Sequence, residues 1–232
     1  MSYTYTTGSR DLDELIGGLQ PSTMLLVLGH PGAGKTTLTS QICYANTLNN
    51  KKCLYITFYE DKEKLFRNMT RVGIDLRDSE QRGLLRFIKL PVASIDELLN
   101  AIVSLLIGDT YEVVVIDSIN PILDAIQNRE SQRAVLLNFF YQLSSMVKGV
   151  LVTVAEVPLG REFLDTGVMD FIADIVIYLK HRVEHGLLSR LMEIRKIRGA
   201  PLTISEVPFL IIEGEGVRVF IPPKPARVLS GR

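Results

Sequence analysis

The 232-residue sequence predicts an α/β fold whose mostly parallel central sheet is flanked by helices and continues into an antiparallel C-terminal extension. Strand-like and helix-like segments alternate as far as residue 155, which is typical of parallel sheets with helical crossovers. Four strand-like segments with short turns then follow one another, which favours antiparallel pairing. Because no internal repeat or long linker interrupts this order, we expect one domain over residues 1–221 and a proline-rich basic tail over residues 222–232.

The order of the elements follows from apolar spacing and from the turn residues between the apolar segments. The glycine pair Gly17-Gly18 ends the first helix, and the capping-box pattern of Ser94 and Glu97 begins a later one. Up to residue 155, the patterns predict a helix at 7–19, a strand at 25–28, a helix from 38, a strand at 53–58, a helix at 62–72, a strand at 84–89, a helix from 94, a strand at 112–117, a helix at 130–148 and a strand at 150–155. Strands at 174–180, 190–197, 206–212 and 217–221 follow, the last two joined by a hairpin turn at 213–216.

Composition and charge narrow the class of protein. Apolar residues make up 47% of the chain, which is enough for a sizeable core. Lys plus Arg and Asp plus Glu both number 26, and this balance argues against a surface built throughout for nucleic acid. The first residues lack the features of a signal peptide, and no apolar run is long enough to span a membrane, so we expect a cytoplasmic protein.

The cysteines and histidines do not predict a transition-metal site. Cys43 and Cys53 fit no metal-ligand spacing, and we expect both to be buried thiols, suited to a reducing cytoplasm. His181 and His185 are spaced as zinc ligands on a helix would be, but they fall at the end of a strand and in a turn. Zinc is therefore not expected.

A glycine-rich turn between the first strand and the next helix carries the clearest chemical signal. Its pattern, Gly29-x4-Gly34-Lys35-Thr36, is that of a phosphate-binding loop. Glycines let backbone N–H groups surround an anion, and the helix that follows directs its positive end at the phosphates. Lys35 brings a full charge to the β- and γ-phosphates, and the Thr36 hydroxyl suits Mg²⁺. The residues expected to surround ATP or ADP are Gly29, His30, Pro31, Gly32, Ala33, Gly34, Lys35, Thr36 and Thr37.

Carboxylates follow two of the predicted strands. Asp117 ends an apolar strand, and in a phosphate-loop fold this position lies in the crevice where nucleotide binds, so we expect Asp117 to hold Mg²⁺. Glu60 follows the strand at 53–58. If that strand neighbours the Asp117 strand, Glu60 faces the γ-phosphate and can orient and deprotonate the attacking water. Asp61 competes for this role, and both carboxylates could instead cap the following helix.

These motifs together resemble the single-domain KaiC-like ATPases of the RecA-type phosphate-loop group, an archaeal-type set of RecA and RadA paralogues, over nearly the whole chain. The motifs are Gly8-x3-Leu12-Asp13-Glu14-Leu15-x-Gly17-Gly18, the phosphate loop, Phe58-Tyr59-Glu60, Val115-Ile116-Asp117-Ser118 and Lys196-Ile197-Arg198-Gly199. The resemblance implies a RecA-like fold, use of ATP with Mg²⁺, and a hexameric or otherwise ring-forming homo-oligomer. It also implies that Lys196 and Arg198 point at the γ-phosphate held by the neighbouring subunit.

Charge favours the same role for this basic cluster. Arg195, Lys196 and Arg198 end a strand that we expect to lie far from Lys35 of the same chain. Cations supplied by a neighbour would act as arginine fingers do. The alternative is a solvent-exposed basic turn, because runs of like charge usually lie on the surface.

Two positions depart from the family pattern. The family commonly has two adjacent glutamates after the strand, whereas here Tyr59 precedes Glu60, so we expect slow hydrolysis. The Ser and Thr phosphoacceptors of the clock member have no match before residue 172, where Met169, Asp170 and Phe171 stand. Autophosphorylation of that kind is therefore not expected.

Three functions remain open. The first is a KaiC-like ATPase that acts as a regulatory or scaffolding module. The second is a recombinase paralogue that binds single-stranded DNA, but the loops expected to contact DNA, 118–129 and 156–170, hold one arginine each, too few to neutralise phosphates well. The third is a nucleotide switch without turnover, which the tyrosine at position 59 favours.

Overall fold

The computed structural model describes residues 4–91, 94–124, 129–158, 172–184, 186–200 and 206–221. The tail at 222–232, His185, residues 169–171 and most of the expected DNA-contacting loop at 156–170 lie outside them. The helices are α1 (Arg10–Ile16), α2 (Lys35–Leu48), α3 (Lys62–Arg71), α4 (Leu76–Gln81), α5 (Ile95–Ile107), α6 (Asn120–Asp124) and α7 (Arg129–Met146). The strands are β1 (Thr23–Gly29), β2 (Cys53–Thr57), β3 (Leu85–Lys89), β4 (Val113–Asp117), β5 (Val150–Glu156), β6 (Ile175–Glu184), β7 (Leu187–Ile197), β8 (Glu206–Ile212) and β9 (Gly216–Val219).

In the described part of the chain, nine strands form one sheet in the order β3-β2-β4-β5-β1-β6-β7-β8-β9. Every pairing from β3 to β6 is parallel. The last three strands pair antiparallel, which confirms the predicted fold class and its C-terminal extension. The registers place Thr57 beside Asp117, and Gly29 beside Glu156, so the carboxyl ends of the central strands meet along one edge.

The central strands are apolar on both faces because helices cover both. Leu25 and Val27 of β1 belong to an apolar cluster that includes side chains of α1 to α4, whereas Leu26 and Leu28 belong to a second cluster that includes α5 and α7. All seven residues of β1 are buried. A strand buried on both faces is a nearly continuous apolar run, and this explains why β1, β4 and β5 could be predicted from composition alone.

The β6–β7 hairpin is longer than predicted. Pairing continues from Lys180 with Leu191 to Glu184 with Leu187, beyond the end predicted for β6 at residue 180. This outer part is largely exposed, and its apolar residues Val183, Leu187 and Leu188 do not alternate regularly with polar ones, so no strand pattern marked it. The short helices α4 and α6 were not predicted either, and α4 begins where the Asp75 carboxylate accepts hydrogen bonds from the N–H groups of Arg77 and Asp78.

The expectation of two buried thiols is wrong, because Cys43 and Cys53 form a disulfide. Cys43 lies in α2 and Cys53 begins β2, and their Cα atoms are 5.9 Å apart. Both residues are fully buried. Disulfides persist mainly in oxidising compartments, so the cysteines no longer favour a reducing cytoplasm.

Candidate functional site

The phosphate loop begins where β1 ends, and α2 begins at Lys35. Gly32 and Gly34 have φ angles of 76° and 104°, which residues with a Cβ rarely adopt. A Cβ on Gly34 would also lie 2.8 Å from the Ile211 Cδ1 atom of β8. Because a glycine N-cap has no side chain to occupy the first N–H groups of α2, these groups can bind an anion.

Lys35 is held inside the loop. Its side chain is buried, and Nζ donates a hydrogen bond to the His30 carbonyl oxygen at 2.8 Å. Burial lowers the pKa of Lys35, while the charges of Glu156 and Asp117 act in the opposite direction. A phosphate in the loop would place a further anion beside this partly desolvated ammonium.

Asp117 ends β4 and faces the same loop. Burial raises the pKa of its carboxyl group, whereas hydrogen bonding by the Thr36 and Tyr55 hydroxyls lowers it. The charge of Lys35 also lowers this pKa, and that of Glu60 raises it. The end of β4, the start of α2 and the end of β2 therefore converge on one small region.

The oxygen atoms gathered here fit Mg²⁺. A carboxylate and a hydroxyl are hard donors, and magnesium usually takes one or two carboxylates together with phosphate oxygens and water. Thr36 and Asp117 interact directly, so one ion could contact both. Among the described residues, no group of three His, Cys, Asp or Glu side chains could hold a metal ion.

Glu60 and Asp61 follow β2 but have different roles in the backbone. The Glu60 N–H donates to the Thr57 hydroxyl at 3.2 Å, and its carboxylate influences Asp117. The Asp61 carboxylate instead accepts a hydrogen bond from the Lys64 N–H at 2.9 Å and caps α3. Strands β2 and β4 are neighbours, which is the condition for Glu60 to face a bound phosphate.

Comparisons with known proteins decide the family of this chain. The family model described as "ATPase: KaiC" matches residues 5–224. The chain belongs to the KaiC family.

No helix within the described residues has both the length and the apolar character needed to cross a membrane.

Curated KaiC proteins are similar to this chain over most of its length. Circadian clock protein KaiC3 of Synechocystis sp. is 25% identical over 97% of this chain and 45% of its own length. The circadian clock oscillator protein KaiC of Thermostichus vulcanus is 25% identical over 84% of this chain and 38% of its own length. The chain therefore spans less than half of these curated relatives.

A solved structure matches the fold. The KaiC-like protein of the archaeon Pyrococcus horikoshii OT3 superposes with a TM-score of 0.80 and 28% identity, over 95% of this chain and 100% of that chain. The RecA-like fold expected for a KaiC-family protein is thus shown.

The segment 196–199 lies near the amino ends of the parallel strands, whereas the phosphate loop lies at their carboxyl ends. Lys196 pairs with Val176 near the start of β6, and an Arg198 Nη atom contacts an Asp174 carboxylate oxygen at 2.9 Å. The Asp174 N–H donates to the carbonyl of Met24, at the start of β1. The length of β1 from Met24 to residue 29 is roughly 16 Å at the usual rise per residue, so the Asp174 end of β6 lies about this far along the sheet from the start of the phosphate loop.

His30 is held by the protein rather than directed into the loop. Its Nδ1 lies 2.9 Å from the Val157 carbonyl oxygen, and its Nε2 lies 3.1 Å from the Tyr178 hydroxyl. Because a carbonyl only accepts, Nδ1 carries the proton, and in the neutral ring Nε2 accepts from Tyr178. The side chain thus ties the loop to β6, and its backbone carbonyl accepts the hydrogen bond of Lys35.

Three residues near the site were missed by sequence reasoning. Tyr55 donates a hydrogen bond to Asp117, and Glu156 influences Lys35 from the end of β5. The Asn120 side chain bonds both the N–H and the carbonyl of Glu156. Only Glu156 had a usable signal, since it follows an apolar strand as Asp117 does, but we placed it in the loop expected to contact DNA.

Proposed function

We propose that this chain binds ATP or ADP with Mg²⁺ and hydrolyses ATP slowly, as a ring-forming module of regulatory or scaffolding function. The observation that carries the proposal is the convergence of Lys35, Thr36 and Asp117 at the loop in a chain of the KaiC family. Loop N–H groups and Lys35 would bind the β- and γ-phosphates. Thr36 and Asp117 would hold Mg²⁺, which when bound neutralises charge on the transferring phosphoryl group.

Glu60 is the proposed base of the hydrolysis. Its neighbour Asp61 is engaged in capping α3, whereas the charge of Glu60 raises the pKa of Asp117, which places Glu60 in the neighbourhood where the γ-phosphate would lie. A carboxylate in this place can orient a water and take its proton. Tyr59, whose side chain is 62% exposed, replaces the other carboxylate expected there, and this supports slow turnover.

Lys196 and Arg198 are proposed to act on the nucleotide of a neighbouring subunit. Lys196 and Arg198 lie near the start of β6, away from the strand ends where Lys35 lies, and this position supports an action in trans. A heterologous contact between these two regions of neighbouring chains can close into a ring.

Calorimetric titration with ADP and Mg²⁺ tests the binding part. We expect Lys35→Ala to weaken affinity by about 10- to 100-fold, since a buried charge-assisted contact to phosphate is lost. Lys52→Ala is the matched control, because Lys52 forms an exposed pair with Asp109 away from the loop. Equal affinity of Lys35→Ala and the wild type would refute the proposal.

The exposed tyrosine at position 59 also favours a second candidate, a nucleotide switch that does not turn over. Both candidates require nucleotide binding, and they differ in phosphate release. Release above the background of Lys35→Ala supports the ATPase. Tight binding without release supports the switch.

A further inference from the structure

Tyr55 joins α2 and β4 through one buried hydroxyl group. The residue is fully buried in β2. Its hydroxyl donates to Asp117 Oδ2 at 2.8 Å and lies 3.1 Å from the Thr39 hydroxyl of α2. Thr39 follows Thr36 by three residues on the same helix. The Tyr55 hydroxyl therefore links the helix that carries Thr36 with Asp117, and these are the two residues expected to hold Mg²⁺.

Proton counting gives this chain of hydrogen bonds a direction. An ionised carboxylate only accepts, so the single Tyr55 proton goes to Asp117. The Tyr55 oxygen can then only accept from Thr39, whose hydroxyl also donates to the Thr36 carbonyl oxygen at 3.2 Å, so the one Thr39 proton is shared between these two acceptors. The direction is therefore Thr39 to Tyr55 to Asp117, and it leaves Asp117 Oδ1 outside this chain of bonds.

The same two elements are joined at a second point. Cys43 lies one helical turn after Thr39, and Cys53 precedes Tyr55 by two residues, which places it on the same face of β2. The disulfide and the hydroxyl pair thus hold α2 against β2 at successive positions. The Tyr55 ring stands on β2 and its hydroxyl bonds to α2, so the ring is held in place where these two elements are joined.

We propose that Tyr55 is a positioning residue for the metal site, which orients the Asp117 carboxylate relative to Thr36. This inference rests on the proposed function. Buried phenols need a hydrogen-bond partner, and Thr39 alone would supply one. The additional bond to Asp117 holds the carboxylate in the way that partners of metal ligands commonly do.

The test compares Tyr55→Phe with the wild type in two measurements. Mn²⁺ is titrated into the protein–ADP complex and followed by electron paramagnetic resonance, and ADP affinity is measured in EDTA by calorimetry. We expect Tyr55→Phe to weaken Mn²⁺ binding about 10- to 100-fold, as loss of such partners does, and to leave metal-free ADP affinity unchanged. Tyr111→Phe is the matched control, since it removes another buried tyrosine hydroxyl, bonded only to exposed Arg86 at 3.3 Å among the hydrogen bonds we describe.

Unchanged Mn²⁺ affinity in Tyr55→Phe would overturn the inference, and so would an equal loss of ADP affinity in EDTA, which would indicate a general distortion of the loop. If Tyr55→Phe does not fold, Thr39→Val removes the hydroxyl that bonds Tyr55 and the Thr36 carbonyl, and it should weaken Mn²⁺ binding in the same direction. A wild type that binds no ADP refutes the proposed function itself. If the wild type binds ADP and Mn²⁺ and Tyr55→Phe binds Mn²⁺ with the same affinity, only the role of Tyr55 is refuted.

Discussion

Glu60 and Asp61 have the same charge and are adjacent in sequence, but their surroundings differ. The backbone after β2 turns so that Asp61 becomes the N-cap of α3, whereas the charge of Glu60 acts on Asp117 and raises its pKa. A carboxylate that accepts from backbone N–H groups is a poor base, because those bonds stabilise its ionised form. The cap on α3 thus supports Glu60, which the sequence already favoured as the base, over its competitor Asp61.

We therefore predict different outcomes for two conservative substitutions. Glu60→Gln should reduce the rate of phosphate release at least about 100-fold, with ADP affinity retained, because the general base is lost. Asp61→Asn should keep nearly the wild-type rate, since asparagine caps helices as well as aspartate does. Phosphate release at saturating ATP measures both.

Two results would contradict this assignment. Loss of turnover only in Asp61→Asn would make Asp61 the base. A large gain in turnover on Tyr59→Glu, at an exposed position where the change does not disturb the core, would show that the position before Glu60 normally supplies it.

At the scale of elements, the Cys43–Cys53 disulfide ties α2 to β2 over a sequence separation of 10 residues. Closing a loop of this size should stabilise the fold by about 2.7 kcal/mol in the chain-entropy description. We predict that Cys43→Ala/Cys53→Ala lowers the free energy of unfolding by about this amount. Equilibrium unfolding in guanidinium chloride measures the difference.

Reductant provides the matched control for this prediction. It should lower the unfolding midpoint of the wild type towards that of the double variant and leave the double variant unchanged. Identical midpoints for oxidised wild type, reduced wild type and the variant would mean that the disulfide does not form in solution or does not stabilise the fold.

At the scale of the whole molecule, Lys35 lies at the carboxyl ends of the parallel strands and Arg198 lies near their amino ends, which favours a site formed by two chains. We predict that Lys35→Ala and Arg198→Ala are each inactive alone and regain activity when mixed. In a random equal mixture about a quarter of the interfaces join an intact loop to an intact Arg198. Phosphate release after mixing measures the rescue.

The control for mixing is Lys35→Ala combined with a Lys35→Ala/Arg198→Ala chain, in which no interface has an intact loop. No activity should return in that mixture. Absence of rescue in the first mixture would place Arg198 in its own subunit's site or outside the site. Full activity of Arg198→Ala alone would make it a surface charge paired with Asp174.

The distribution of charge also gives a prediction for nucleic acid. Loop 118–129 holds one arginine, and α6 occupies part of it. Since affinity for DNA depends on how many phosphates the protein neutralises, we expect little binding to single-stranded DNA at physiological salt. Fluorescence anisotropy of a labelled oligonucleotide measures it, and tight binding that falls steeply with salt would favour the recombinase alternative.

Sequence by itself determined the features that depend on neighbouring residues. The phosphate loop between β1 and α2, the strand ending at Asp117 and the capping box at Ser94 were all predicted, because each is a local pattern of apolar spacing, glycine or side-chain caps. The antiparallel end of the sheet was predicted from short turns. The family followed from these motifs and from Lys196-Ile197-Arg198-Gly199.

Tertiary structure alone decided the contacts between residues far apart in the chain. Tyr55 meets Asp117, 62 residues later, because β2 lies beside β4. Cys43 meets Cys53 because α2 packs on β2. Strand order follows from the packing of the whole core, and no local pattern specifies which strands become neighbours.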